Sequence, residues 1–348
     1  MLKNSNVFEE DSISIAESHH IEWDKIANKS ILITGATGLI GATIIRGLLA
    51  RNHKHNSNIS IYALTRNKEK AKRIFGDDIY DDNLHIVVGD VTEKIRIDYN
   101  LDYVIHGASE TSSKAFVEKP VETIRTTING TLNILDLCKE KTVNKMVFLS
   151  SMEVYGTSKE ERELKEDCSE YLNPLSVRSS YPESKRMAEN ICTAYLSEYN
   201  TQTVIARLTQ TFGPGIEAGD NRVFAQFAKK AIHNEDIILL TKGQTKRMYV
   251  YTADAAIAIL ILLIKGVPGE AYNIANQETY CSIADMAEMI CKEIAQDRIK
   301  VEYKEDNDLS KVFNPVQYMK LNVDKIYSLG WKPKVSLIEM YRRMISVL

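Results

Sequence analysis

The sequence predicts an α/β fold: a doubly wound parallel sheet with helices on both faces and a smaller, interleaved C-terminal lobe. Three observations carry this. Five short apolar runs, rich in β-branched residues, alternate with helix-length stretches through the first half of the chain. Each run is apolar at consecutive positions, as a strand buried on both faces must be. A glycine-rich turn joins the first run to the first helix, the connection a parallel sheet with crossover helices requires.

The elements follow in order. Residues 1–29 read as a leader, with Trp23 and Ile26 placed to pack back onto the body in a short helix. SILIT (30–34) is the first strand, and the helix after its turn spans about 39–51. ISIYALT (59–65), LHIVVGD (84–90), DYVIHGA (102–108) and KMVFLSS (145–151) are further strands. Between the last two, Val121, Ile124, Ile128, Leu132 and Leu135 repeat at helical spacing. After Gly213-Pro214-Gly215 the texture changes. Strand-like pieces become sparse (DIILL, AYNIAN, IKVEY), and helices at 222–233, 253–265, 282–294 and 336–347 dominate. The chain therefore divides into a leader (1–29), a sheet domain (30–213) and a second lobe (214–348) that interleaves with the first without a clean linker.

Composition excludes several classes of function. Hydrophobic residues make up 44% of the 348, which suits a packed core and argues against wholesale disorder. A formal net charge of −3 gives no reason to expect a nucleic-acid or anionic-membrane partner. The five cysteines (Cys138, Cys168, Cys192, Cys281 and Cys291) are scattered, with no Cys-x-x-Cys pair. That usage fits a reduced, cytoplasmic protein and no zinc site. The first twenty residues lack the apolar run of a signal peptide. The longest apolar stretch, 253–264, is interrupted by Asp254 and too short to span a bilayer.

The turn Thr34-Gly35-Ala36-Thr37-Gly38-Leu39-Ile40-Gly41 lies between strand and helix, where a dinucleotide pyrophosphate is bound. Gly35 permits the tight turn, Gly38 lets backbone approach the phosphates, and Gly41 lets the helix pack on the strand. Free N–H groups at the helix start, with Thr37, Leu39 and Ile40, complete the expected cradle. The second strand ends Ala63-Leu64-Thr65-Arg66-Asn67, without the acid that accepts ribose hydroxyls in NAD sites. Arg66, helped by Lys68, can instead pair with a 2′-phosphate, which favours NADP over NAD; an arginine opening a solvated helix would look the same. Asp90 and Val91, closing the third strand, are placed to contact the adenine.

A second constellation is Tyr181-Pro182-Glu183-Ser184-Lys185, opening a helix that runs to about 199. A spacing of four puts Tyr181 and Lys185 on one helix face. A phenol is a poor base at neutral pH, but a nearby ammonium and an oxidised nicotinamide both favour its phenolate. Ser151, at the carboxyl end of the fifth strand, can hold the reacting oxygen toward Tyr181.

Together these residues resemble the extended short-chain dehydrogenase/reductase superfamily, with its Rossmann domain, in the sugar-nucleotide epimerase/dehydratase branch. The likeness runs from Ile31 to the C-terminus, and HGASETSS, SMEVYG, LNPLSVRSSYPESKRMAE, ARLTQTFGPG and DNRVFAQFA are closest to UDP-glucuronate decarboxylases. The resemblance implies a catalytic Ser151, Tyr181 and Lys185, with Glu153 as a further base. It implies Ala108 at the cofactor, and Ser109, Thr111, Gln210, Arg222, Val223 and Arg247 at a nucleotide-sugar substrate. Arg247 would meet the diphosphate, and Arg222-Val223-Phe224 would lie beside the base. It also implies a homodimer through helices 120–140 and 181–199, and a place in polysaccharide precursor synthesis.

Three positions depart from the family pattern. Met152 stands where 4,6-dehydratases carry the Asp that protonates a departing hydroxyl, which disfavours that reaction. Thr127 and Gln210 replace asparagines near the substrate. The reading is a transient C4 oxidation, by epimerase or decarboxylase chemistry. Its rivals are a net NADPH-dependent reductase of a keto sugar or other carbonyl compound, and a dinucleotide-binding protein without activity. His19-His20, His53/His55 and the carboxylates at 160–167 and 305–308 read as solvated surface and build no metal site. The seven histidines form no Ser-His-Asp frame for a hydrolase.

Overall fold

The computed structural model describes residues 6–304 and 316–348; the carboxylates at 305–308 lie outside the described residues. The five apolar runs are strands β1 (Ser30–Thr34), β2 (Ser60–Thr65), β3 (Leu84–Val88), β4 (Tyr103–His106) and β5 (Lys145–Ser151). The later strands are β6 (Glu163–Leu164), β7 (Thr203–Leu208), β8 (Gln210–Phe212), β9 (Ile237–Leu239), β10 (Lys246–Tyr251), β11 (Ala271–Ile274), β12 (Asn276–Ser282), β13 (Val301–Tyr303) and β14 (Tyr318–Leu321).

Seven of them form one sheet in the order β11-β7-β5-β4-β1-β2-β3, with every pair parallel. Ile33 of β1 lies between Ala63 of β2 and Ile105 of β4, all fully buried. The chain order reverses direction between β1 and β4. The carboxyl ends of the strands therefore splay apart there and leave a crevice. The seventh strand, β11, comes from well beyond residue 213.

Helices cover both faces. They are α1 (Asn6–Ala16), α2 (Leu39–His55), α3 (Lys68–Phe75), α4 (Ala115–Glu118), α5 (Pro120–Lys141), α6 (Ser180–Tyr199), α7 (Val223–His233), α8 (Thr252–Lys265), α9 (Ile283–Met289), α10 (Asp324–Tyr327) and α11 (Leu337–Ile345). Helices α5 and α6 pack side by side over one face. On the other, α8 lies between the sheet and the pair α1 and α2. It is buried from Thr252 to Leu263, which explains its unbroken apolar sequence: it is a core helix surrounded by protein. Among the described residues no helix is long and apolar enough to cross a membrane.

Trp23 and Ile26 pack onto the body as expected, and two features go beyond the sequence reading. The leader is part of the body: Ile15 is fully buried against α2, where a side chain at Gly47 would come within 2.5 Å of Ile15 Cγ2. Trp23 is buried in a short 3₁₀ turn and donates its indole N–H to the Ser18 carbonyl at 3.0 Å. The second lobe also holds more strand than expected. A second sheet runs β12-β10-β14-β6, with β8 paired to β10. Its strands are short and mixed in polarity, so no apolar run announces them.

Candidate active site

The crevice at the carboxyl ends of the sheet opens into a cavity of about 460 Å³. Three strand ends build it. The turn after β1 supplies Gly35 to Gly41, the segment after β4 supplies Gly107 to Thr111, and the end of β5 supplies Ser150 to Glu153.

The β1 turn is fixed by packing. Gly35 has φ +69°, and a Cβ there would lie 2.8–2.9 Å from the backbone of Gly107 and Ala108. A Cβ on Gly41 would lie 2.4 Å from the Gly35 carbonyl oxygen. Both positions thus demand glycine, one for its positive φ and both for lack of room. Gly38 caps α2 in an extended conformation with no side chain on the helix N–H groups, leaving donors and the positive end of the dipole free for phosphates. Such a cradle fits a dinucleotide pyrophosphate. Thr34 Oγ1 accepts the N–H groups of Gly107 and Ala108 at 3.1 and 3.0 Å and meets His106 Nδ1 at 2.7 Å. Burial, then the nearby Lys185, lowers the His106 pKa to about 3. A neutral imidazole therefore locks the two strand ends together.

The far end of the cradle holds Arg66, Lys70, Asp90 and Val91. Arg66 Nη1 stands 3.9 Å from Asp90 Oδ2, and its side chain is 74% exposed. The other Asp90 oxygen accepts from Thr92 N and Oγ1, both at 2.9 Å. Val91 is held by α5, where Asn133 Nδ2 donates to its carbonyl at 2.8 Å. Lys68 is exposed, and the second cation at this end of the cavity is Lys70, paired with Glu217 at 3.0 Å. A count of one helical turn from Arg66 points to it.

At the opposite end, Tyr181, Lys185 and Ser151 line the same space. Tyr181, Ser184, Lys185, Ala188 and Cys192 form the buried stripe of α6, so the four-residue spacing delivers both the Tyr181 and Lys185 side chains inward. Lys185 Nζ donates to the Leu149 carbonyl at 2.7 Å and lies 5.9 Å from the centroid of the Tyr181 ring. Burial lowers its pKa to about 8, with Glu189 acting against that. Burial also raises the pKa of Tyr181, and Glu153 adds to the rise, while Ser151, Arg178 and Arg222 oppose it. The Phe116 ring lies parallel on that of Tyr181, with centroids 4.3 Å apart. Glu153 pairs with Arg178 at 3.0 Å.

The cavity also collects Thr37, Leu39, Ile40, Ala108, Ser109, Gln210 and Arg222. Its lining does not include Val223, which is partly exposed at the start of α7, or Arg247, whose Nε is buried without a hydrogen-bond partner among the described residues. Thr127 reaches Ser109 Oγ at 3.4 Å, and its neighbour Thr126 lines the cavity. Phe116, Arg178 and Lys70 escaped the sequence reading. Of His53 and His55, the first pairs with Asp81 and the second with Glu17. Among the described residues no group of three or more His, Cys, Asp or Glu side chains is placed to hold a metal ion.

A doubly wound sheet with this turn and cavity defines a dinucleotide-binding α/β enzyme. The chain belongs to the NAD dependent epimerase/dehydratase family, whose sequence model matches residues 31–275. UDP-glucuronic acid decarboxylase 3 of Arabidopsis thaliana is 30% identical over 313 residues, covering 90% of this chain and 86% of that protein. Among solved structures, UDP-glucose 4-epimerase of Thermotoga maritima, with UDP-glucose, superimposes with TM-score 0.76 at 22% identity, over 91% of this chain and 98% of that one. The NAD complex of dTDP-glucose 4,6-dehydratase from Bacillus anthracis gives 0.75 at 20% identity, over 92% and 96%.

Proposed function

We propose that this enzyme acts on a nucleotide-diphosphate sugar by transient oxidation at C4, and that its net reaction is decarboxylation of a nucleotide-linked uronic acid. The observation that carries the reading is the convergence of Ser151, Tyr181 and Lys185 on the cavity that also contains the glycine cradle. Tyr181 takes the proton of the C4 hydroxyl, and Ser151 Oγ hydrogen-bonds the same oxygen and holds it toward the phenol. Lys185 supplies positive charge on the Tyr181 side of the cavity, favouring the phenolate. A nicotinamide dinucleotide held by the Gly35–Gly41 cradle would supply the acceptor for the C4 hydride and the donor for its return.

The resulting 4-ketone makes a C6 carboxylate a β-keto acid. As the C5–C6 bond breaks, carbon dioxide leaves and the electron pair passes into the C4 carbonyl. C5 then takes a proton, for which Glu153, beside Ser151 in the lining, is the candidate carboxyl group. Tyr181 returns its proton to the C4 oxygen as the ketone is reduced. Met152, buried beside Ser151, has no proton to give a departing C6 hydroxyl, so 4,6-dehydration is disfavoured. The relatives named as UDP-glucuronic acid decarboxylases support the uronic-acid substrate. Arg222 and Gln210, facing the same space, would bind the nucleotide side of it.

Arg66 and Lys70 at the far end of the cradle support NADP as the cofactor. Val121 and Ile124 on α5 and Met187 on α6 are exposed apolar side chains, which supports a homodimer through these helices; the cysteine usage supports a cytoplasmic setting. The test has two parts: identify the nucleotide released when purified enzyme is denatured, and incubate enzyme with UDP-glucuronate. Oxidised cofactor with release of carbon dioxide and a UDP-pentose supports the proposal. A C4-inverted uronic acid would make the enzyme an epimerase. An empty site with stoichiometric consumption of added NADPH would make it a reductase.

A further inference from the structure

Glu153 follows Ser151 by two residues, and both face the cavity into which Tyr181 projects. A free carboxylate there opposes the phenolate that catalysis needs. The structure gives it a partner that the sequence does not announce. Arg178 Nη2 donates to both Glu153 carboxylate oxygens, at 3.2 and 3.0 Å. The same guanidinium lies over the Phe116 ring, 4.8 Å from its centroid. Phe116 in turn lies parallel to the Tyr181 ring at 4.3 Å, with only 10° between the planes. Arg178 sits on the short turn Val177–Ser179 that leads directly into α6, three residues before Tyr181, and is not part of the cavity lining.

We propose that Arg178 is a positioning residue for Tyr181: it holds the Glu153 carboxylate away from the phenol and, through Phe116, fixes the plane of the phenol ring. The inference rests on the reading of Tyr181 as the proton acceptor. Other groups around the phenol are already committed. Arg222, from the segment before α7, is held by Asp220 through contacts of 2.6–3.1 Å. Lys185, on the same helix, is bound to the Leu149 carbonyl. Ser151 Oγ accepts the Glu153 N–H at 3.2 Å. Arg178 differs from these because its partner, Glu153, is a carboxylate of the cavity lining whose charge opposes the Tyr181 phenolate. The guanidinium geometry also matters: a planar fork can pair with a carboxylate and stack on an aromatic ring at once, and an ammonium cannot.

The test is a tyrosinate absorbance titration of the enzyme loaded with oxidised cofactor, where the Tyr181 signal is the difference from Tyr181→Phe. It needs no substrate, so it reads the pair independently of the assigned reaction, which turnover of Tyr181→Phe checks separately. Arg178→Met is expected to raise the Tyr181 midpoint by about one pH unit, and Glu153→Gln to lower it. The double variant is expected to return close to the parent, and Arg178→Lys to recover only part of the shift. Near-ultraviolet circular dichroism establishes that each variant is folded. A Tyr181 signal indifferent to Arg178, or both single variants moving it in the same direction, would overturn the proposal.

Discussion

Replacing Arg66 with alanine separates the two dinucleotides. The guanidinium now pairs with Asp90 at 3.9 Å, with the arginine 74% exposed, and such a pair is worth about 0–1 kcal/mol. A 2′-phosphate would replace that contact with a charge-assisted hydrogen bond of about 1.5–3 kcal/mol. The exposure keeps the gain toward the lower end, for a net of roughly 1–2 kcal/mol, or about 5–30-fold in affinity. NAD lacks the phosphate and offers Arg66 only hydroxyls. Calorimetric titration of parent and Arg66→Ala with both cofactors measures this directly. The expected result is a loss of about 5–30-fold for NADP, with NAD changed little. Equal losses for both cofactors, or none for NADP, would refute a phosphate-binding Arg66.

Other substitutions follow from the same geometry. Tyr181→Phe removes the proposed proton acceptor but keeps the ring stacked on Phe116, so turnover should fall by at least ~10²-fold while the thermal midpoint stays close to the parent's. Gly35→Ala must place a Cβ 2.8–2.9 Å from the backbone of Gly107 and Ala108 at φ +69°; a loss of about 2 kcal/mol or more, together with cofactor affinity, is expected in denaturant titrations. Asp254 is buried, and its carboxyl is pushed up from 3.8 to about 6 by burial against the N–H groups of Lys334 and Val335 that it accepts. Its protonated form is the one the fold favours, so its contribution is complete below about pH 4 and is lost as pH rises through about 6, a span of ~3 kcal/mol. Asp254→Asn should flatten that part of the stability profile, and an unchanged pH dependence would count against the burial argument.

The central sheet was legible because its strands are buried on both faces, and apolar runs such as SILIT and KMVFLSS carry their own signal. The second sheet was not. Lys246–Tyr251 and Asn276–Ser282 mix charged, amide and aromatic side chains, and they are strands because of partners far away in sequence. The helix Asn6–Ala16 read as leader because two of its four buried residues are Ala16 and a carboxylate, Asp11. Within the site, residues bound to a strand end or to a fixed helical spacing were found: the glycines, Ser151, Tyr181 and Lys185. Phe116, Arg178 and Lys70 arrive from a four-residue helix, a turn and the second turn beyond β2. The places of Phe116 and Arg178 depend on how the chain folds across the crevice, which local pattern does not encode; Lys70, one helical turn beyond Arg66, was within reach of a local count.

The N-terminal helix also connects the two halves of the site from behind. Asp11 accepts from Tyr251 Oη at 2.6 Å and from Arg343 at 2.9 Å, while Arg343 Nε donates to Tyr251 Oη at 2.8 Å. These bonds join α1 to the end of β10 and to α11, both in the second lobe. On its other side α1 seats Ile15 in the notch that Gly47 leaves on α2, the helix whose N-terminus forms the phosphate cradle. Burial raises the Asp11 pKa, and its bonds to Tyr251 and Arg343 oppose the rise. Separating the lobes would strand Asp11 without them, at a cost that a surface ion pair would not impose. The cradle on α2 and the second sheet are therefore referenced to one buried cluster, and a substitution at Asp11 or Arg343 should loosen both without touching the cavity.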